Sequence, residues 1–116
     1  MRDPKIYLRD ILKAMNAIEE FIGDIDFENF KNNDLRLSAV IRKLEIIGEA
    51  VKNIPKEIKN KYHDIPWKEM AGMRDRLIHF YFGIKHELVW ETVKKEIPKI
   101  KPFFEKILED LNNEKK

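Results

Sequence analysis

The stretch DLRLSAVIRKLEIIGEAVKN, residues 34–53, decides the fold. Leu37, Val40, Ile41, Leu44, Ile47, Gly48 and Val51 recur at spacings of three and four, which is one apolar stripe of a helix. Asn32, Asn33 and Asp34 supply its cap. Gly48 in mid-helix costs about 1 kcal/mol against Ala, so it marks a close helix crossing. A stripe on one face of a helix must be buried against something, and the neighbouring segments are read for partners.

Upstream, Asp3-Pro4 reads as a helix start, with Asp as N-cap and Pro in the first turn. Ile6, Tyr7, Leu8, Ile11, Leu12, Met15, Ile18, Phe21 and Ile22 continue it at helical spacing, and Gly23-Asp24 stops it. Phe27 and Phe30 are expected to plug a loop onto the core. Downstream, Pro55 opens a short helix or turn through Lys61, Tyr62-His63-Asp64 is a loop, and Pro66 at a first helical position starts the third long helix. Gly83 is expected to end that helix. A helix from Glu87 to about Lys95 follows, with Leu88, Val89, Trp90 and Val93 apolar. Pro98 predicts a kink or a fresh first turn. The last amphipathic helix carries Ile100, Phe103, Phe104, Ile107, Leu108 and Leu111.

Residues 1–116 therefore read as one all-α domain, an antiparallel bundle of four to six helices joined by short connections. With 43% hydrophobic and 38% charged residues, the chain has a core and solvated faces laced with charge. No cysteine means no disulfide framework and no thiol chemistry. The net charge of +2 excludes bulk electrostatic capture of nucleic acid; RNA binding requires a local patch or a groove between two copies. The charged start MRDPKIYLRD and the lack of a long apolar run make a cytoplasmic location the expectation.

One stretch carries chemistry: MRDRLIHFYFGI, residues 73–84. Arg74, four intervening residues, His79, one residue, then Tyr81 puts a guanidinium, an imidazole and a phenol in an apolar frame. Polar groups are expensive on an apolar face unless paired or used. Ribonuclease chemistry without a metal needs a base for the ribose 2′-OH and an acid for the leaving oxygen. Histidine suits both, since it titrates near neutrality. Arginine's planar fork stabilises charge building on the phosphate. Five residues on a helix is a rotation of about 140° and a rise of about 7.5 Å, so Arg74 must reach, or a second subunit must complete the site. A satisfied core histidine and a surface ion-paired arginine fit the same spacing. Tyr81 falls about 200° from His79 on an ideal helix, and a core aromatic beside Phe80 and Phe82 is the plainer reading. Asp75 and Arg76 read as local ion-pairing residues.

His63 and His86 show no metal-ligand spacing, the four glycines form no phosphate-binding loop, and Ser38 is the only serine. No metal and no cofactor is implied. Lys56, Lys59, Lys61, Lys94, Lys95, Lys99 and Lys101 are candidates for the rim of an RNA groove, each more simply a solvated lysine.

Four phrases together resemble the HEPN domains, specifically the HepT-like (DUF86) toxin ribonucleases. They are AVIRKLEIIGEA (39–50), Ile65-Pro66-Trp67, Gly72-Met73-Arg74-Asp75 leading into His79 and Tyr81, and Val89-Trp90. The resemblance runs in order over nearly the whole chain. It implies a helical homodimer with the motifs of two subunits at one RNA cleft. It implies metal-independent endoribonuclease activity on tRNA or mRNA, with Arg74 and His79 at the catalytic positions. It also implies that Tyr81 receives AMP from a partner, a minimal nucleotidyltransferase antitoxin of the MntA type, giving an O-AMP-tyrosine. Added negative charge there would repel RNA phosphates. Asp75 stands where Asn is frequent, and Phe80 stands where a small or polar residue is common. Glu49 is a candidate hydrogen-bond partner for the motif arginine. The competing readings are a non-catalytic helical partner of the nucleotidyltransferase and a nucleotide-binding module that senses AMP-containing ligands.

Overall fold

The structure, a computed structural model, describes residues 3–79 and 86–114, with the side chains of 74 and 76–79 outside the description. The fold is all-α, and no strand occurs among the described residues. Helix α1 spans Pro4–Ile22, α2 Phe27–Lys31, α3 Asp34–Lys52, α4 Lys56–Lys61, α5 Trp67–His79, α6 His86–Glu91 and α7 Ile97–Asn113. Among the described residues no helix is long and apolar enough to cross a membrane.

The helix ends follow local chemistry. The Asp3 carboxylate accepts the Lys5 backbone N–H at 3.0 Å, and Pro4 occupies the first turn, where its missing N–H has no partner to lose. At the far end Gly23 turns the chain with φ of 50°, and its N–H donates to the Glu19 carbonyl. Asn33 caps α3 by accepting the Arg36 N–H at 3.0 Å, and the Asn53 side chain donates to the Glu49 carbonyl at the other end. Pro66 stands just outside α5 rather than inside it: its carbonyl accepts the Met70 N–H, which makes it the N-cap. Phe27 and Phe30 lie on a short helix, not in a loop, because the Asp26 carboxylate accepts the Asn29 N–H and closes a turn there.

Helix α3 lies at the centre, packed on α1 along one side and α5 along the other, while α7 closes over α1. Its predicted stripe is buried apart from the half-buried Ile41, and Gly48 is among the buried positions. The core is continuous from Leu8, Ile11, Met15 and Ile18 on α1 through Val40, Leu44 and Ile47 to Phe104 and Ile107 on α7. Phe30 is fully buried and packs on Trp90 at 5.1 Å, so α2 ties α6 to the bundle. Trp67 meets Phe104 edge-on at 5.5 Å and donates its indole N–H to the Tyr62 carbonyl, which fixes the start of α5 against α7.

The α6 helix does not stop at a break. A π-turn over Thr92–Glu96 joins it to α7, and the Ile97 N–H reaches back five residues to the Thr92 carbonyl. Pro98 supplies the reason. In an α-helix its ring would press on the Lys94 carbonyl and its missing N–H would leave that carbonyl without a partner; a wider turn just ahead relieves both. Of the two expectations, a kink or a fresh first turn, the structure shows the second: Pro98 lies in the first turn of α7, with the π-turn just ahead of it. Leu88 and Phe103, read from sequence as apolar helix positions, are 46% and 41% exposed.

Candidate functional site

Helix α5 is held by its first half. Trp67, Met70 and Met73 are buried at successive turns, and Glu69 places a carboxylate in the first turn, where it complements the helix dipole. Met73 directly precedes Arg74, so the packing of the first two turns sets where positions 74 to 79 fall. Lys52, at the end of α3, lies 3.8 Å from the Asp75 carboxylate, with the two side chains 39% and 60% exposed. At that exposure the pair adds little stability, yet it sets a cation of α3 beside the motif segment. Among the described residues, then, Asp75 pairs across helices, with Lys52.

The register of α5 places the motif positions. Taking Met70 as the centre of the buried face and about 100° per residue, Trp67 and Met73 fall about 60° to either side and position 74 about 40° away, inside that arc. Position 79 falls about 180° away, on the opposite sector, within about 40° of the exposed Asp75 and about 20° of Gly72. A Cβ added at Gly72 would meet no described atom within 4 Å. Among the described residues that sector of α5, to which the helix backbone at 79 belongs, is open. The side chains of Arg74 and His79, and all of Phe80, Tyr81 and Gly83, lie outside the described residues.

The other candidates resolve as follows. Glu49 is exposed and, with Tyr7 and Asp10, lines a groove of about 300 Å³ between α1 and α3; its expected bond to the motif arginine lies outside the described residues. His63 is exposed beside Asp64, at 3.6 Å, and His86 begins α6. Among the described residues no group of three His, Cys, Asp or Glu is placed to hold a metal ion. Three of the candidate RNA-rim lysines serve internal contacts. Lys61 pairs with Glu114 at 3.4 Å and lies over the Tyr62 ring, Lys94 lies over the Trp90 ring, and Lys101 pairs with Glu19 at 3.1 Å.

Sequence reading missed a polar clamp at the far end of the bundle. The Tyr62 hydroxyl donates to Asp110 at 2.6 Å. Burial, then the bond to Asp110, pushes the phenol up to about 12. The same bond, with Lys106 nearby, holds the Asp110 carboxyl below its usual range. A separation of 48 residues hides such a pair from any local signal.

The model of the ribonuclease HepT-like family matches residues 11–107. The chain belongs to that family. The matched range contains all three motif positions and every helix from the body of α1 to the core of α7. The chain is 59% identical over 110 residues to "Putative RNase MJ0125" of Methanocaldococcus jannaschii, covering 95% of each chain. It is 53% identical over 106 residues to "Probable ribonuclease HepT" of Thermococcus cleftensis, covering 91% of this chain and 96% of that one. No solved structure matches the chain.

Proposed function

We propose that this HepT-like protein is a metal-independent endoribonuclease, with Arg74 and His79 as its catalytic residues. The observation that carries the reading is the family match across residues 11–107, which contains the intact Arg74/His79 pair. The chemistry follows from the residue types. The ribose 2′-oxygen attacks the adjacent phosphorus as its proton passes to a base, the bond from phosphorus to the 5′-oxygen breaks, and an acid protonates that oxygen. Imidazole performs either transfer near neutral pH, and the guanidinium meets the charge on the phosphate oxygens. Because positions 74 and 79 lie about 140° apart on α5, one helix does not converge them readily. A homodimer that sets two copies of the open α5 sector across one cleft supplies a base from one subunit and an acid from its partner.

The same reading assigns Tyr81 as the control point. A cognate MntA-like nucleotidyltransferase antitoxin transfers AMP from ATP to its hydroxyl, which loses its proton as pyrophosphate leaves, and the added phosphate repels RNA from the cleft. The protein is then the toxin of a toxin–antitoxin pair. The test compares RNA cleavage by wild type, His79→Ala and Arg74→Ala with EDTA present. Wild-type cleavage that survives EDTA and is lost in both variants is expected. Activity abolished by EDTA, or retained by His79→Ala, contradicts it; a folded wild type that cuts no RNA points to a non-catalytic partner module. Intact mass after co-expression with the nucleotidyltransferase tests the second part: AMP-sized increments are expected, and are absent from Tyr81→Phe.

A further inference from the structure

Lys68, Gly72, Asp75 and His79 follow one another on α5 at spacings of four, three and four. At about 100° per residue they fall within an arc of about 60°, one stripe on the sector opposite Met70. Lys68 and position 79 stand about 16 Å apart along the axis. Lys68 is exposed and makes no ion pair among the described residues. It sits in the first turn of α5, where a cation opposes the helix dipole, so it is not placed for the stability of the helix. A Cβ at Gly72 would meet no described atom within 4 Å. Asp75 sets a negative charge in the stripe, and Lys52 of α3 stands 3.8 Å from its carboxylate. The carboxylates of the second half of α3, Glu45 and Glu49, line the groove on its other side, toward α1.

We infer that this stripe is a track for the RNA strand beside the cut. The phosphodiester backbone runs from the cleft at position 79 along α5, passes close over Gly72 and meets Lys68, while Lys52 offsets the charge of Asp75 on the way. The inference rests on the RNA chemistry proposed for this chain and extends it to the nucleotides flanking the cleaved bond. A net charge of +2 does not hold RNA by bulk attraction, so the cations that hold it must be local to the cleft. Glycine lets a ligand backbone approach a helix closely. Contacts to phosphate carry no base information, so the track takes any sequence. Neither lysine stands out in the sequence, because only the register of α5 and its packing on α3 bring them to the motif helix's open sector.

The test uses the full chain and a labelled single-stranded 2′-O-methyl RNA of about twelve nucleotides, which offers no free 2′-hydroxyl to attack. Fluorescence anisotropy is read in EDTA across a salt series. Lys68→Gln is expected to weaken binding about fivefold at about 0.1 M salt and to lower the slope of log Kd against log salt by about 0.7, the signature of one lost phosphate contact. It should melt no lower than wild type. Lys52→Gln is expected to weaken binding as well, and Lys52→Gln/Asp75→Asn to recover to within about twofold of wild type. Unchanged affinity and slope in Lys68→Gln, a lower melting point for it, or a Lys52→Gln loss that Asp75→Asn does not repair would overturn the inference. So would a change in oligomeric state in either lysine variant, since the stripe would then be a contact between copies. Cleavage of unmodified RNA is scored apart. A wild type that binds through Lys68 and does not cut supports the track and refutes the catalytic reading; one that cuts and is indifferent to Lys68 refutes the track alone.

Discussion

Replacing Gly72 by alanine tests the open sector of α5 in two ways at once. Gly72 is the sixth of thirteen residues in the helix, far enough from either end for full helix propensity to apply. A mid-helix glycine is disfavoured against alanine by about 0.8–1.0 kcal/mol, chiefly through backbone entropy. A new Cβ meets no described atom within 4 Å, so nothing in the described subunit offsets that gain. At about 2.1 cal/mol/K per residue, a chain of 116 residues unfolds with an entropy near 0.24 kcal/mol/K, so the variant should melt about 4 °C higher. Differential scanning calorimetry reads this directly. The functional arm runs the other way. Position 72 lies about 20° from position 79 around the helix, so the methyl group stands on the sector assigned to the cleft. RNA cleavage is expected to fall while stability rises. A variant that melts lower than wild type refutes the open-sector geometry; one that melts higher and cleaves normally shows that neither RNA nor a second subunit approaches closely at that turn.

Three further outcomes follow from the packing. Asn33→Ala removes the side-chain acceptor for the Arg36 N–H and should lower stability by about 1 kcal/mol in urea unfolding. Phe104→Ala empties a fully buried site against the Trp67 edge, and a loss of about 3–5 kcal/mol is expected, with the tryptophan emission moved to the red as α7 loosens from α5. The Tyr62–Asp110 bond predicts a loss of stability at both ends of the pH scale. Asp110 has a depressed folded pKa, so its contribution holds above the unfolded value near 4 and is lost as pH falls through the folded one. Tyr62 has a raised folded pKa, so its contribution holds below the unfolded value near 10 and is lost as pH rises toward about 12. Tyr62→Phe should flatten the urea midpoint against pH in both windows, and an unchanged profile would show that the bond does not form in solution.

Sequence alone carried the long helices because their signals are local. The stripes on α1 and α3 repeat over several turns, and Asp3, Asn33 and Gly23 end their helices by chemistry visible within four residues. The five residues of α2 are too few to show a period, so Phe27 and Phe30 looked like loop plugs; Asp26 was the available sign of a cap. Pro98 announced an irregularity, but whether a helix breaks, kinks or widens depends on what holds the flanking segments, here the packing of Trp90 on Phe30 and of Phe104 on Trp67. Leu88 and Phe103 show the limit of hydrophobicity as a guide to burial. Their residue types match the buried Val89 and Phe104 beside them, and only the register set by the π-turn and the bundle decides which is covered. Pairs such as Lys52–Asp75 and Tyr62–Asp110 join distant segments and leave no local trace. The candidate site was legible as residue types and order, since 74, 79 and 81 are fixed by the motif. Of its geometry, the described structure adds the register of α5 and the neighbouring Lys52.

The central claim is that His79 and Arg74 cut RNA through its own 2′-oxygen without a metal ion. Mass spectrometry of RNA fragment ends, produced in EDTA by wild type and by His79→Ala, addresses it most directly. The account predicts ends bearing 2′,3′-cyclic phosphate and 5′-hydroxyl from wild type and none from the variant. Fragments ending in 3′-hydroxyl and 5′-phosphate, or cyclic-phosphate ends that persist without the imidazole, would contradict it.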